Sequence, residues 1–269
     1  MFRYPVVGIM LTALVLAGGC RPTPPSAPVP PPAPPPAATA LTVFAGAASK
    51  PALEPLARDY QSSHGVKVEV TFGGSGAVLT QFSQEHYGDV YVPGSDDFMD
   101  KAESKDAVLK DTRQALVYLV PVINVTRGNP KHIQGLADLA RQDVRLVIGE
   151  PKSVCLGAIA QQTLADAGLW AKVSPRVASY ATSCENVLQA LLLGEADAVI
   201  GWDVFTRQHP DKVESVPLPA KYSRARNIPA AVIKWSQQPQ AAQAFIAFLA
   251  SPEAQIVWQQ HGYTLKPSH

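Results

Sequence analysis

Hydrophobic positions along this chain change period repeatedly, and the changes mark an alternation of strands and helices. Runs rich in β-branched and aromatic residues stand at 41–46, 66–72, 88–92, 115–126, 144–149, 176–181, 197–202, 213–217 and 228–235. Short apolar runs of this kind, bounded by turn formers, read as strands. Between many of them apolar residues recur at helical spacing, as in Leu53, Leu56, Ala57 and Tyr60, and again in Val78, Leu79 and Phe82. Helices are predicted over about 51–62, 76–85, 96–105, 155–167, 185–194, 203–208, 239–250 and 252–261. Such alternation predicts an α/β fold of mostly parallel sheets covered by helices on both faces. The run from Leu116 to Val125 is long for one strand and contains Pro121, which suits an edge or a crossing between lobes. A second crossing is expected near Ala225 to Pro229. Two crossings divide the chain into one lobe of residues 41–120 plus 227–269 and another of residues 121–226.

Two loops carry the candidate chemistry. Ala45 to Lys50 and Phe72 to Ala77 each follow a predicted strand and open a predicted helix. A helix N-terminus leaves N–H groups unpaired and carries partial positive charge. Small residues let a ligand approach that backbone, and a serine hydroxyl adds one more donor. Such a loop suits an anion without any charged side chain. Gly73-Gly74-Ser75-Gly76-Ala77 also resembles the nucleophile elbow of a hydrolase, with Ala77 in place of the last glycine. A secreted serine hydrolase with Ser75 as nucleophile is therefore a rival reading. Against it, at most two strands precede the loop, and the histidines fall mostly in polar or turn contexts.

The first forty residues are set apart from the fold. Met1-Phe2-Arg3 is a short basic start, and Val6 to Ala17 is an apolar run too short to span a bilayer. It ends Leu16-Ala17-Gly18-Gly19-Cys20, which resembles a bacterial lipobox although Ala17 stands where leucine is usual. Residues 1–19 then form a signal peptide, and Cys20 becomes the lipidated first residue. Arg21 to Ala38 contains ten prolines and no periodic apolar face. It is expected to run as extended polyproline II and to hold a domain up to about 55 Å from the membrane. The membrane is met through this lipid anchor alone, and the localisation is extracytoplasmic.

Removing the leader takes one basic residue and leaves 22 of each sign, so nothing marks the chain for nucleic acid. Cys155 and Cys184 remain as an even pair in an oxidising compartment, and a disulfide is the default expectation. It would close a loop worth roughly 3–4 kcal/mol in the chain-entropy model. The alternative is that the two thiols bind a soft metal or metalloid. Asp96, Asp97 and Asp100 suit the first turns of a helix, and no carboxylate cluster has calcium-loop spacing. No cofactor, metal site or catalytic residue is expected. Lys152, Arg224 and Arg226 are candidates for electrostatic help to an anion, or for plain solvation.

Five stretches resemble the molybdate-binding protein family of ABC transporters, a branch of the type II periplasmic-binding-protein superfamily. They are Val43 to Ser49, Val70 to Gly76, Gly88 to Val92, Ile228 to Lys234, and Ala244 to Leu249 with Gly262-Tyr263. The resemblance runs over residues 41–265. It implies a two-lobed, monomeric receptor that closes on a tetrahedral oxyanion such as molybdate or tungstate and delivers it to an ABC permease. In that family hydroxyls and backbone amides of both lobes hold the anion. Position by position, the first loop supplies Ala48 or Ser49, and the second Gly74 and Ser75. The second lobe supplies Cys155 and Leu156, then Asn186 and Val187 beyond Cys184, and Trp202 where the family has tyrosine. A ligand sensor of the same fold is an alternative to the transporter role.

Overall fold

The computed structural model describes residues 40–266. The expected signal peptide, Cys20 and the whole proline-rich tract from Arg21 to Ala38 lie outside the described residues. The strands are β1 (Leu41–Gly46), β2 (Val68–Gly73), β3 (Val90–Val92), β4 (Gln114–Leu119), β5 (Pro121–Thr126), β6 (Leu146–Gly149), β7 (Val177–Ala181), β8 (Ala198–Trp202), β9 (Val213–Val216) and β10 (Arg226–Val232). The helices are α1 (Lys50–His64), α2 (Ser75–Glu85), α3 (Asp96–Ser104), α4 (Cys155–Asp166), α5 (Trp170–Val173), α6 (Cys184–Leu192), α7 (Val204–Gln208), α8 (Pro239–Leu249) and α9 (Pro252–Gln260). None of them is long and apolar enough to cross a membrane.

The strands form two five-stranded sheets, ordered β2-β1-β3-β10-β4 and β7-β6-β8-β5-β9. In the first, β1 pairs parallel with β2 and β3, while β10 pairs antiparallel with β3 and β4. In the second, β6 pairs parallel with β7 and β8, while β5 pairs antiparallel with β8 and β9. Four strands of each sheet therefore point the same way, and one, β10 or β5, is inserted against them. The α/β class with mostly parallel sheets is what the alternating pattern predicts. Strands buried on both faces read as continuous apolar runs, and β1, β6 and β8 are buried at every residue.

The long run around Pro121 is two strands in different sheets, with Val120 between them. Pro121 opens β5, and Pro229 sits in β10 where the register against β4 shifts after Ile228. Both are places where a missing N–H costs no ladder bond. The 88–92 run starts as strand only at Val90, because the Asp89 carboxylate turns aside to accept the Thr42 N–H at 2.8 Å and the Ser236 hydroxyl at 2.6 Å. The short helix α5 falls in a stretch that carries no predicted helix. It is a single turn that packs against α4, and one turn leaves too little periodicity to detect.

Aromatic side chains fill the first lobe. Phe82 of α2 lies between Phe44 of β1 and Tyr91 of β3, with ring centroids 5.6 and 5.0 Å apart. Tyr60 of α1 packs against Phe245 and Phe248 of α8. Trp258 of α9 is fully buried, and its indole N–H donates to the Leu249 carbonyl at 3.0 Å. Because Phe82 is wholly buried in this cluster, Phe82→Ala is expected to cost about 3–5 kcal/mol of unfolding free energy. Urea denaturation measures it, and a loss below 1 kcal/mol would show that the neighbours collapse into the gap.

Candidate functional site

Three strands of the first sheet run directly into helices through short loops. β1 passes through a tight turn at Ala47–Ser49 into α1, β2 through Gly74 into α2, and β3 through Pro93 to Ser95 into α3. In the second sheet β6 leads into α4 and β7 into α6. Strands that run parallel place the N-termini of their following helices along one edge, where open α/β sheets bind ligands.

The loops of both sheets meet. A carbon added to Gly94 would lie 2.8 Å from Cys155 Sγ, 3.2 Å from Ala48 Cβ and 3.5 Å from Ser75 Oγ. Four of the five helix starts thus converge on one point, and Cys184 brings the fifth, its Sγ 3.4 Å from that of Cys155. Ser49 and Ser75 flank Gly46. The Ser49 hydroxyl donates to the Gly46 carbonyl at 2.9 Å, and a carbon added to Gly46 would stand 2.7 Å from Ser75 Oγ. Ser75 Oγ accepts the Gly94 N–H at 2.9 Å. The Tyr91 hydroxyl donates to the Ser75 carbonyl at 2.9 Å, and the Tyr263 hydroxyl donates to the Ala48 carbonyl at 2.5 Å. Each loop is therefore held by a phenol from behind, and burial pushes both phenols above their ordinary pKa.

Backbone contact closes the cleft. The Gly76 N–H donates to the Ser153 carbonyl across it at 2.8 Å. A side chain at Gly74 would stand 2.6 Å from that carbonyl and 2.8 Å from the carbonyl of Thr182. Only glycine permits this approach. At the rim, the Lys50 ammonium donates to both carboxylate oxygens of Glu185, at 3.0 and 3.1 Å. Beside this pair a crevice of about 120 Å³ is lined by Ala47, Ala48, Pro51, Leu188, Phe205 and others.

The centre carries little net charge. Lys50 is engaged by Glu185, and Arg226 reaches Asp97 at 3.0 Å and Asp96 at 3.8 Å. Burial, then the neighbouring Asp97, pushes the Asp96 carboxyl upward, with Arg226 and Arg224 partly opposing. Lys152 is exposed, and its backbone carbonyl, not its ammonium, lies against Gly76.

The expected disulfide between Cys155 and Cys184 is not formed. Both are free, buried thiols, and their 3.4 Å separation is far beyond the roughly 2.05 Å of an S–S bond. They interact instead as a hydrogen-bonded pair. The bond from Cys184 outweighs burial and holds the Cys155 thiol below the ordinary range, with help from the Ser75 hydroxyl and the Leu156 amide. Donating to Cys155, together with burial, holds the Cys184 thiol well above that range. Both cysteines are the first residues of their helices, where the dipole also favours a thiolate. The Trp202 indole N–H is fully buried, makes no regular hydrogen bond, and lies against the Cys184 sulfur.

Of the residues predicted for the site, Ala48, Ser49, Gly74, Ser75, Cys155, Leu156 and Trp202 are brought together. Asn186 turns away from them, and Val187 joins the same buried cluster with its amide spent on its own helix. The Asn186 amide is engaged by the Ser183 hydroxyl at 3.1 Å, and its side chain donates to Thr182 Oγ1 at 2.9 Å in a separate groove beside Val147 and Ser179. The Val187 amide donates to the Ser183 carbonyl at 3.1 Å, as the first full turn of α6 requires. The hydrolase reading needs a base beside Ser75. The Ser75 hydroxyl instead takes the Gly94 amide and the Cys155 thiol as neighbours.

Gly94 and Ser95 were missed by sequence reasoning. Pro93-Gly94-Ser95 follows a strand and opens a helix, so the signal of the first two loops was present a third time. Ser95 is fully buried and its hydroxyl has no partner among the described residues. Tyr263 lies 215 residues from the loop it holds, and no local pattern announces that contact.

Residues 41–264 match the family described as bacterial extracellular solute-binding protein. The chain is 25% identical over 265 residues to the putative ABC transporter substrate-binding lipoprotein YvgL of Bacillus subtilis, covering 97% of this chain and 98% of that one. It is 27% identical over 259 residues to the molybdate-binding protein ModA of Mycobacterium bovis, covering 96% of this chain and 95% of that one. Among solved structures, the sulfate-binding protein SubI of Mycobacterium tuberculosis shares the fold with a TM-score of 0.71 at 22% identity, over 84% of this chain and 86% of that one.

The asymmetry of the thiol pair is testable with Cys20 replaced by serine. Thiolate absorbance is expected to rise with pH in two separate steps, the lower from Cys155 and the upper from Cys184. Cys184→Ala should remove the upper step and move the lower one up in pH, because the main cause of the Cys155 depression is lost. A lower step that stays in place in Cys184→Ala would contradict the assigned hydrogen bond.

Proposed function

From the bacterial extracellular solute-binding protein family, to which this chain belongs, we propose that it captures a small tetrahedral oxyanion, molybdate or tungstate in type, between its two lobes and delivers it to an ABC permease. One observation carries this reading: helix N-termini from both sheets converge on a buried point with small residues and hydroxyls around it. Unpaired amides and helix dipoles favour a compact anion there. They do so without a counter-charge, which suits a centre whose nearby cations are already paired.

Capture works by closure about segments near residues 120–121 and 225–227, which join the lobes in this reading. An anion held by loops of both lobes binds the shut form better than the open one, and that difference in affinity alone shifts the hinge. The cross-cleft bond from Gly76 to Ser153 and the Lys50–Glu185 pair then add to the shut form. The exposed pair contributes little, and the glycine contacts set how near the lobes come.

In this reading the chain is an extracytoplasmic lipoprotein. Cleavage before Cys20 and its lipidation place the receptor on a proline-rich tether at the membrane surface, as a monomer that meets the permease with the outer faces of both lobes. The relative named as a lipoprotein and the Leu16 to Cys20 pattern support the anchor. Replacing Cys20 with serine should move the protein from the membrane fraction to the soluble one.

A thermal-shift screen of molybdate, tungstate, sulfate, phosphate, arsenate and chromate tests the ligand, because tight binding stabilises the native state by mass action. Molybdate or tungstate is expected to give the largest rise in Tm, and no rise with any of the six would end the oxyanion reading. Ser75→Ala is expected to weaken binding by about 1–3 kcal/mol, the cost of a lost hydrogen bond to a charged group. Gly74→Ala is expected to weaken it at least as much, because a methyl group there meets the Ser153 and Thr182 carbonyls before the lobes close. Calorimetry measures both, and unchanged affinity in Gly74→Ala would show that closure does not require this contact.

A further inference from the structure

An oxyanion receptor built on neutral donors has no need of sulfur. A thiol is a weak hydrogen-bond donor, and a thiolate repels an anion. Yet both thiols of the folded domain stand at the convergence point, buried, without a disulfide and 3.4 Å apart. They start two different helices, from two different loops of the second lobe. The Trp202 indole N–H beside them is fully buried and lacks a regular partner. A buried donor whose one neighbour is a weakly accepting sulfur calls for an explanation, and a ligand oxygen supplies one.

We propose that the reduced cleft takes up the neutral trihydroxide of a trivalent metalloid, of which arsenous acid is the probe, as a dithiolate ligand. This rests on the reading of the interlobe cleft as the ligand site and adds a second, thiophilic ligand class to it. The step is a condensation without change of oxidation state. Each thiol loses its proton to a hydroxyl of the metalloid, two S–metalloid bonds form, two metalloid–O bonds break, and two waters leave. One hydroxyl stays on the metalloid.

Geometry separates this class from other thiophiles. A pyramidal centre with nearly right-angled bonds of about 2.3 Å spans about 3.3 Å between its sulfurs, against about 3.8 Å for a tetrahedral ion and about 4.6 Å for a linear one. The 3.4 Å set by the hydrogen bond between the sulfurs is nearest the pyramidal span, so that centre asks for the least movement of the two side chains. A four-coordinate ion would need further ligands, and no group of three or more His, Cys, Asp or Glu able to hold a metal is found among the described residues. The remaining hydroxyl meets acceptors and donors already in place, the Ser75 hydroxyl and the Trp202 indole N–H. The helix starts and the hydrogen bond between the sulfurs make Cys155 the first nucleophile, with Cys184 following as its proton leaves. Charge also fits: a neutral guest asks for no cation, and Lys50 and Arg226 are already paired with carboxylates.

The test uses the mature chain, with Cys20 lipidated or replaced by serine, reduced with a phosphine and kept free of added thiols. Sodium arsenite and, separately, sodium molybdate are titrated by calorimetry. One arsenite per chain is expected, with arsenic X-ray absorption showing two sulfurs and one oxygen in the first shell. Cys155→Ser and Cys184→Ser should each lower arsenite affinity by roughly a hundredfold or more, with an unchanged circular dichroism spectrum and cooperative thermal unfolding as proof of folding. Should either variant fail to fold, the first shell of the wild-type complex decides alone. Molybdate binding without arsenite binding would overturn this inference and leave the oxyanion reading standing. Binding of neither would overturn this inference and remove molybdate as the anion, and arsenite uptake with fewer than two sulfurs in the first shell would overturn the dithiolate.

Discussion

The whole arrangement depends on backbone-to-backbone contact across the cleft. Gly74 and Gly76 press against the carbonyls of Lys152, Ser153 and Thr182, and one of these contacts is a direct hydrogen bond. Contacts this close bring the helix starts of the two sheets to one point instead of leaving a water-filled gap between them. Helix dipoles fall off within about a turn, so a shared focus requires such an approach. The small residues of the loops are therefore a steric condition for the electrostatics.

What stands behind the loops is as constrained as the loops themselves. The Tyr91 and Tyr263 hydroxyls each hold a loop carbonyl, while the fully buried Phe44, Phe82 and Trp258 lock the strands and helices that carry them. A binding site on short loops gains precision when the supporting side chains have no room to move. The C-terminal helices serve this end: α9 leads to Gly262-Tyr263, so the last segment of the domain buttresses the first loop.

The pair of thiols gives the site a character of its own. A site that takes an oxyanion by amides and hydroxyls is chemically hard, whereas sulfur selects soft guests. Cys155 adjoins Ser75 and Cys184 adjoins Trp202, so one small volume offers both kinds of donor. The chain is similar in sequence to a molybdate-binding protein and shares its fold with a sulfate-binding one, so the scaffold by itself does not fix the ligand.

The order of strands and helices, the class of fold and the two serine loops could all be read along the chain, because period, β-branching and small residues before a helix are local properties. Ser49 and Ser75 reached the cleft for that reason, and the third loop at Gly94 carried the same signal unread. Three features were decided only by the folded chain. The Asn186 and Val187 amides turned to Ser183 in starting α6. Cys155 and Cys184 met as thiols and not as a disulfide, since two loops, and no sequence spacing, set the distance between their sulfurs. Tyr263 found Ala48 across the length of the domain. Local sequence sets which backbone groups are left unpaired, and packing between distant segments sets what they face.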